Sequence, residues 1–198
     1  MSTETGRNFN LAEASLLLAA QSPASLEILS EITGGFGARH IHTASSIEDA
    51  RRTIGIEEQH LIIVDGRLED GAGLDFVAWL RREAPEPNRY APVIFASSNY
   101  TKESFEMARD AGVNFMVAKP VKPDALLKRI LWLADNPRRF VEAGTYCGPD
   151  RRVRFEGPPA GLPGRRKEDL PVKLGAPAGD NLSQDAIDAF LKPQKMTL

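Results

Sequence analysis

The chain contains a single cysteine, Cys147. No internal disulfide can form, as expected of a reducing compartment. No apolar run comes near the roughly 20 residues needed to span a bilayer, so no membrane is expected as a partner. The opening residues Met1-Ser2-Thr3-Glu4-Thr5 lack the basic and apolar regions of a signal peptide, and the expected location is the cytoplasm. A formal net charge of −2 gives no overall pull toward nucleic acid or an anionic lipid surface. The three histidines, His40, His42 and His60, are too few and too poorly spaced for a zinc site. His40 and His42 fall two apart on one face of a strand and read as partly exposed surface residues. Cys147 has no base near it in sequence, which argues against a nucleophile. There is no Walker phosphate loop and no glycine fingerprint after a strand. A nucleotide-dependent enzyme is therefore set aside.

What is present is an ordinary globular composition, 42% hydrophobic and 26% charged over 198 residues. That is enough for one domain with a full core and something extra. The sharpest local feature is His60-Leu61-Ile62-Ile63-Val64-Asp65-Gly66. An unbroken apolar run that ends in a lone carboxylate and a glycine predicts a strand buried on both faces. In open parallel sheets, chemistry sits beyond the carboxyl ends of the strands, where Asp65 falls. Two later runs end in the same manner, Pro92 to Ser97 in a hydroxyl and Phe115 to Ala118 in Lys119-Pro120.

The other elements follow from periodicity and punctuation. Ala14 to Ala20 predicts a first strand, and Pro23 behind the N-cap Ser22 opens a helix with Leu26, Leu29 and Ile32 inward. Gly34-Gly35 ends it. Ala38 to Ala44 predicts a second strand, and Ser46 caps a helix from Ile47 to Ile54 that Gly55 stops. Leu74 to Arg82 is a third helix, with Leu74, Val77, Ala78 and Leu80 for burial. Thr101 caps a fourth that ends at Gly112, and Pro123 opens a fifth carrying Leu126, Leu127, Ile130, Leu131 and Leu133. Five strands alternating with five helices predict an α/β fold, a parallel sheet with helices on both faces. Residues 1–13 are expected to be a loose lead-in and 14–135 the folded domain. From 136 to 181 the chain is rich in Pro, Gly and Arg without periodicity, and an extended, partly disordered tail is expected. A short helix is expected over 182–192.

The element order and the three strand-end residues resemble the receiver domain of two-component response regulators. Asp65 matches the phosphoacceptor aspartate, Ser97 the Ser or Thr, and Lys119 the Lys before Pro. Gly73-Leu74 and Ala111-Gly112 match two further positions of that family. The resemblance implies a flavodoxin-like five-stranded sheet in the order 2-1-3-4-5. It also implies phosphorelay signalling and a sensor histidine kinase or phosphotransfer protein as partner. The chemistry is consistent: a carboxylate attacks a phosphoryl group only when charge crowding is relieved. An ammonium and a hydroxyl can each take a phosphoryl oxygen. The family adds a magnesium ion held by an acidic pair after the first strand.

Here that pair falls on Ala20-Gln21. Asp65 and, through its amide oxygen, Gln21 are the remaining candidate ligands, so magnesium binding is expected to be weak or absent. Glu69 replaces a proline in the following loop, and Glu69 and Asp70 are candidate substitute ligands. Met116 takes the position of the aromatic switch residue, with Phe115 one place earlier. The combination suggests an atypical receiver, or a pseudo-receiver.

Two features lie beyond residue 135. Arginines cluster at Arg138-Arg139, Arg151, Arg152 and Arg154, and Arg165 and Arg166, and guanidinium forks bind phosphate bidentately. Cyclic di-GMP is the anionic ligand this suggests, since some receiver-like proteins bind it through arginine-rich extensions. DNA is not expected, because no helix-turn-helix follows. Secondly, Asn181 to Leu191 resembles the receiver-docking N-terminal peptide of the flagellar motor switch protein, departing at Ala186 and Phe190. Ser183 would cap that helix, and Leu182, Ile187, Phe190 and Leu191 would form its docking stripe. Another receiver or a flagellar motor or chemotaxis component is the partner implied. The reading is a signalling protein, not an enzyme, acting by protein–protein interaction without a separate effector domain. The alternative is a phosphorylation-independent module whose arginine tail binds an anion.

Overall fold

The structure, a computed structural model, describes residues 10–136, 140–143 and 146–150. Five strands, β1 (Ser15–Ala19), β2 (His40–Ala44), β3 (Leu61–Asp65), β6 (Val93–Ser97) and β7 (Phe115–Ala118), form one sheet in the order β2-β1-β3-β6-β7. All neighbours are parallel. Among these five strands the order is 2-1-3-4-5, as the family resemblance implied. The sequence follows the demands of burial. The central strands β3 and β6 are buried at every position, whereas edge strand β2 buries only Ala44.

Alternate strand residues face two helical layers. Leu17, Ala19, Ile62, Val64, Val93, Phe95 and Met116 share a core with residues of α2 (Ile47–Ile56), α3 (Gly73–Glu83) and α4 (Lys102–Ala111). On the other face lie α1 (Pro23–Gly35) and α5 (Pro123–Asp135), where Trp132 meets Phe115 edge to face at 4.9 Å. Between β3 and α3 the ribbon β4 (Arg67–Leu68) and β5 (Gly71–Ala72) folds as an antiparallel pair, and a short 3-10 turn spans Asn88–Tyr90.

The helix ends follow capping chemistry with two departures. Ser46 accepts from the Asp49 N–H at 3.0 Å, and Thr101 and Ser104 form a reciprocal capping box. Gly112 ends α4 in the left-handed region at φ +94. By contrast, the Ser22 side chain makes no cap bond. Gly55 does not stop α2, which runs on to Ile56. A glycine ends a helix when it goes left-handed, and one that stays helical only weakens it, by about 1 kcal/mol.

A further departure concerns what α3 buries. Alongside Val77 and Leu80 it buries Phe76 and the whole of Arg81. Arg81 Nε donates to the Gly112 carbonyl at 3.0 Å, Nη1 to those of Arg89 and Ala91 at 2.7 and 2.9 Å, and Nη2 to Asn114 Oδ1 at 3.2 Å. Burial pushes the guanidinium pKa down to about 9, so it stays charged at neutral pH.

The cover over Arg81 comes from the stretch expected to lack packed structure. Strands β8 (Phe140–Ala143) and β9 (Tyr146–Pro149) form an antiparallel pair within the same compact unit as the sheet. Phe140 lies 4.9 Å from the Arg81 guanidinium and meets Tyr90 edge to face at 5.4 Å. Glu142 accepts from Tyr90 Oη at 3.0 Å and pairs with Arg89 at 3.4 Å. Gly112 admits the hairpin, because a Cβ there would lie 2.9 Å from the Cys147 carbonyl. Cys147 itself is half-buried on β9, and burial pushes its thiol up from its usual range. A chain ending at Asn136 is expected to be less stable than one ending at Asp150, by about 2–4 kcal/mol from the lost ring and cation contacts and their burial. Urea unfolding of the two chains measures this.

Candidate functional site

The parallel register brings three strand ends together. Asp65 closes β3 opposite Ala96, and Ser97 closes β6 opposite Ala118. Lys119 follows β7, its N–H donating to the Ser97 carbonyl at 2.9 Å. The Lys119 ammonium reaches across and donates to Asp65 Oδ2 at 2.5 Å, with Ser25 Oγ of α1 at 3.4 Å. The other carboxylate oxygen, Oδ1, accepts from the Gly66 N–H at 2.6 Å. Gly73 packs against the Asp65 backbone, and a Cβ there would collide with the Asp65 carbonyl oxygen. That close approach is why a glycine opens α3.

Ser97 is positioned by its strand as predicted, but its hydroxyl is engaged elsewhere. Oγ donates to the Asn99 carbonyl and accepts from the Asn99 N–H, both at 3.1 Å. The same carbonyl accepts from Ser104 Oγ at 3.0 Å, so the hydroxyl belongs to the loop that caps α4. Met116 packs in the core and Phe115 faces α5.

The two residues after β1, where the resemblance placed the acidic pair, are uncharged. Ala20 is fully buried, Gln21 is exposed, and the Gln21 N–H donates to the Arg67 carbonyl at 3.2 Å. Asp70 is no substitute ligand: its carboxylate accepts from the N–H groups of Ile47 and Glu48 at 2.6 and 3.1 Å. Among the described residues no group of three or more His, Cys, Asp or Glu could hold a metal. Receiver domains typically bind magnesium in an acidic pocket. The donors present here, one carboxylate already paired with an ammonium and one exposed amide, do not fit an ion that demands near-octahedral oxygen ligation. The remaining sequence candidates, Arg151, Arg152, Arg154, Arg165 and Arg166 and the stripe Leu182, Ile187, Phe190 and Leu191, lie outside the described residues. Sequence reasoning missed Ser25 and the helix-capping role of Asp70, since neither contact is local in sequence.

A doubly wound domain whose adjacent strands end in Asp, Ser and Lys has the architecture of a phosphorelay receiver. The family described as response regulator receiver domain matches residues 16–131, and the chain belongs to that family. It is a receiver domain of two-component signalling, a class of signalling modules that interact with histidine kinases or phosphotransfer proteins. The response regulator protein PilR of Pseudomonas aeruginosa is 28% identical over 144 residues, covering 72% of this chain but only 30% of PilR. Solved structures with the same fold include the response regulator DrrB of Thermotoga maritima, with a TM-score of 0.55 and 21% identity over 66% of this chain and 57% of that one. A Chloroflexus aurantiacus response regulator gives 0.57 and 21% over 62% and 98%. The chemotaxis protein CheY4 of Vibrio cholerae gives 0.55 and 20% over 60% and 96%. No helix among the described residues is long and apolar enough to cross a membrane.

Restoring the acidic pair tests the account of the pocket. Ala20→Asp with Gln21→Asp is expected to raise magnesium affinity at least tenfold, because added ligand charge tightens a hard-cation site. Titration calorimetry of the two proteins reads the difference.

Proposed function

We propose that Asp65 is a phosphoacceptor that works with little help from magnesium. The observation that carries this reading is the direct Lys119–Asp65 contact at 2.5 Å, beside the end of the Ser97 strand. In the transfer, an Asp65 carboxylate oxygen bonds to phosphorus as the bond from phosphorus to the donor's nitrogen or oxygen breaks. The leaving group keeps the electron pair. The Lys119 ammonium moves from the carboxylate to a phosphoryl oxygen and neutralises it, and Ser97 Oγ turns from Asn99 to donate to another. Ordinary receivers crowd several carboxylates around the acceptor. Here one carboxylate faces one ammonium, so less charge needs compensation by a metal.

A second reading is favoured by the same contacts. With Asp65 engaged by Lys119 and Gly66, and Ser97 closed on its own loop, the site resembles a pseudo-receiver at rest. In that case the output would be a protein contact, with an arginine-rich segment available for an anion such as cyclic di-GMP. A role in chemotaxis or motility has support from the likeness to CheY4. The docking helix would then deliver it, by binding another receiver or a flagellar motor component.

Intact mass after incubation with acetyl phosphate separates the two. Asp65 as acceptor predicts the gain of one phosphoryl group, lost entirely in Asp65→Asn. Lys119→Met should slow the gain by at least about 100-fold. Phosphoryl incorporation persisting in Asp65→Asn would overturn the assignment, and no incorporation in the wild type would leave the pseudo-receiver reading.

A further inference from the structure

The loop that leaves Asp65 is fastened to a helix that phosphoryl transfer does not use. Arg67–Leu68 and Gly71–Ala72 pair as the ribbon β4–β5, and Glu69 and Asp70 sit at its turn. Asp70 Oδ1 accepts from the Ile47 N–H at 2.6 Å and Oδ2 from the Glu48 N–H at 3.1 Å. Beside it the Glu69 N–H donates to the Ser45 carbonyl at 3.0 Å. Helix α2 begins at Ile47, so both amides are ones the helix itself leaves without acceptors. The third, Asp49, is taken by the Ser46 hydroxyl. The Ile47 bond, with help from Glu48 and Arg51, holds the Asp70 carboxyl below its usual range, and an anion at a helix N-terminus is favourable.

The other end of the ribbon is fastened to the site. The Gly66 N–H lies between Asp65 Oδ1 at 2.6 Å and the Ala96 carbonyl at 2.9 Å. The Arg67 carbonyl accepts from Gln21 at 3.2 Å, and the Gly66 carbonyl accepts from Gly73 at 3.1 Å. Four residues, Gly66 to Glu69, therefore separate Asp65 from Asp70 at the α2 cap, with a hydrogen bond at most steps and little slack. The path through Ser97 differs, since that hydroxyl is closed on Asn99.

We propose that Asp70 is a coupling residue, through which the ribbon carries changes at the Asp65 carboxylate to the first turn of α2. The proposal stands on contacts of the unphosphorylated chain. Its regulatory use, with α2 as the element that reports phosphorylation, rests on Asp65 being the acceptor.

Hydrogen exchange on the full-length chain tests it, because protection of the Ile47 and Glu48 amides comes from Asp70 alone. Asp70→Ala should speed exchange at both by about fivefold, as for loss of a typical cap, while β3 and β6 amides stay protected. Asp65→Asn should change exchange at the same two amides at least threefold when Asp70 is present, and leave them unchanged in the Asp65→Asn, Asp70→Ala double variant. Should Asp70→Ala fail to fold, Asp70→Asn replaces it in the cycle, keeping one acceptor oxygen and losing the protection of one amide. Identical exchange in wild type and Asp65→Asn, or an equal change with and without Asp70, would overturn the coupling. Failure of phosphoryl incorporation would appear separately in the mass measurement and would remove only the regulatory use.

Discussion

One ion pair organises the site, the contact of Lys119 with Asp65 across the ends of three parallel strands. It forms because the sheet register fixes where each strand stops, and because the central strands are buried at every position and cannot slip without exposing their core residues. Its effect is electrostatic. A receiver with an acidic pair carries excess negative charge beside its acceptor, and a divalent cation resolves it. With Ala20 and Gln21 in that place, one ammonium balances one carboxylate. The metal pocket is thus reduced in donors and in need at the same time.

The surroundings hold this pair from several sides. Gly73 lets α3 start against the Asp65 backbone, and the ribbon after Gly66 is held by Gln21 and by the first turn of α2. Lower in the domain a different constraint operates. Arg81 has its charge spread over three backbone carbonyls and one amide oxygen, and the hairpin from 140 to 149 closes over it. A buried cation without such acceptors would be costly. The hairpin is therefore part of the folded unit.

Much of this was legible in the sequence, for reasons that also explain what was not. The run Leu61 to Val64 reads as a buried strand, and Asp65, Ser97 and Lys119 share a carboxyl-end position, so the parallel α/β class followed from local patterns, while the strand order came from the resemblance to receiver domains. Side-chain contacts distant in sequence did not. Ser97 could be placed but not oriented, since its partner is the backbone of Asn99. Asp70 looked like a spare ligand, because nothing near it in sequence announces the free amides of α2. Arg81 is not among the α3 residues expected to be buried, because the carbonyls of Arg89, Ala91 and Gly112 and the Asn114 amide oxygen that make its burial tolerable are distant in sequence. The hairpin had a weak signal, a Gly144-Thr145 pair between two short runs. The prolines and arginines on either side obscured it.

The magnesium dependence of acetyl phosphate labelling at Asp65 tests the central claim most directly. If Lys119 supplies the main charge relief, the initial rate rises only weakly as magnesium is added and shows no saturation at millimolar concentration. A rate near zero without the ion that rises to a saturating plateau would contradict the account, because it would require a competent metal pocket that Ala20, Gln21 and the engaged carboxylate of Asp70 do not provide.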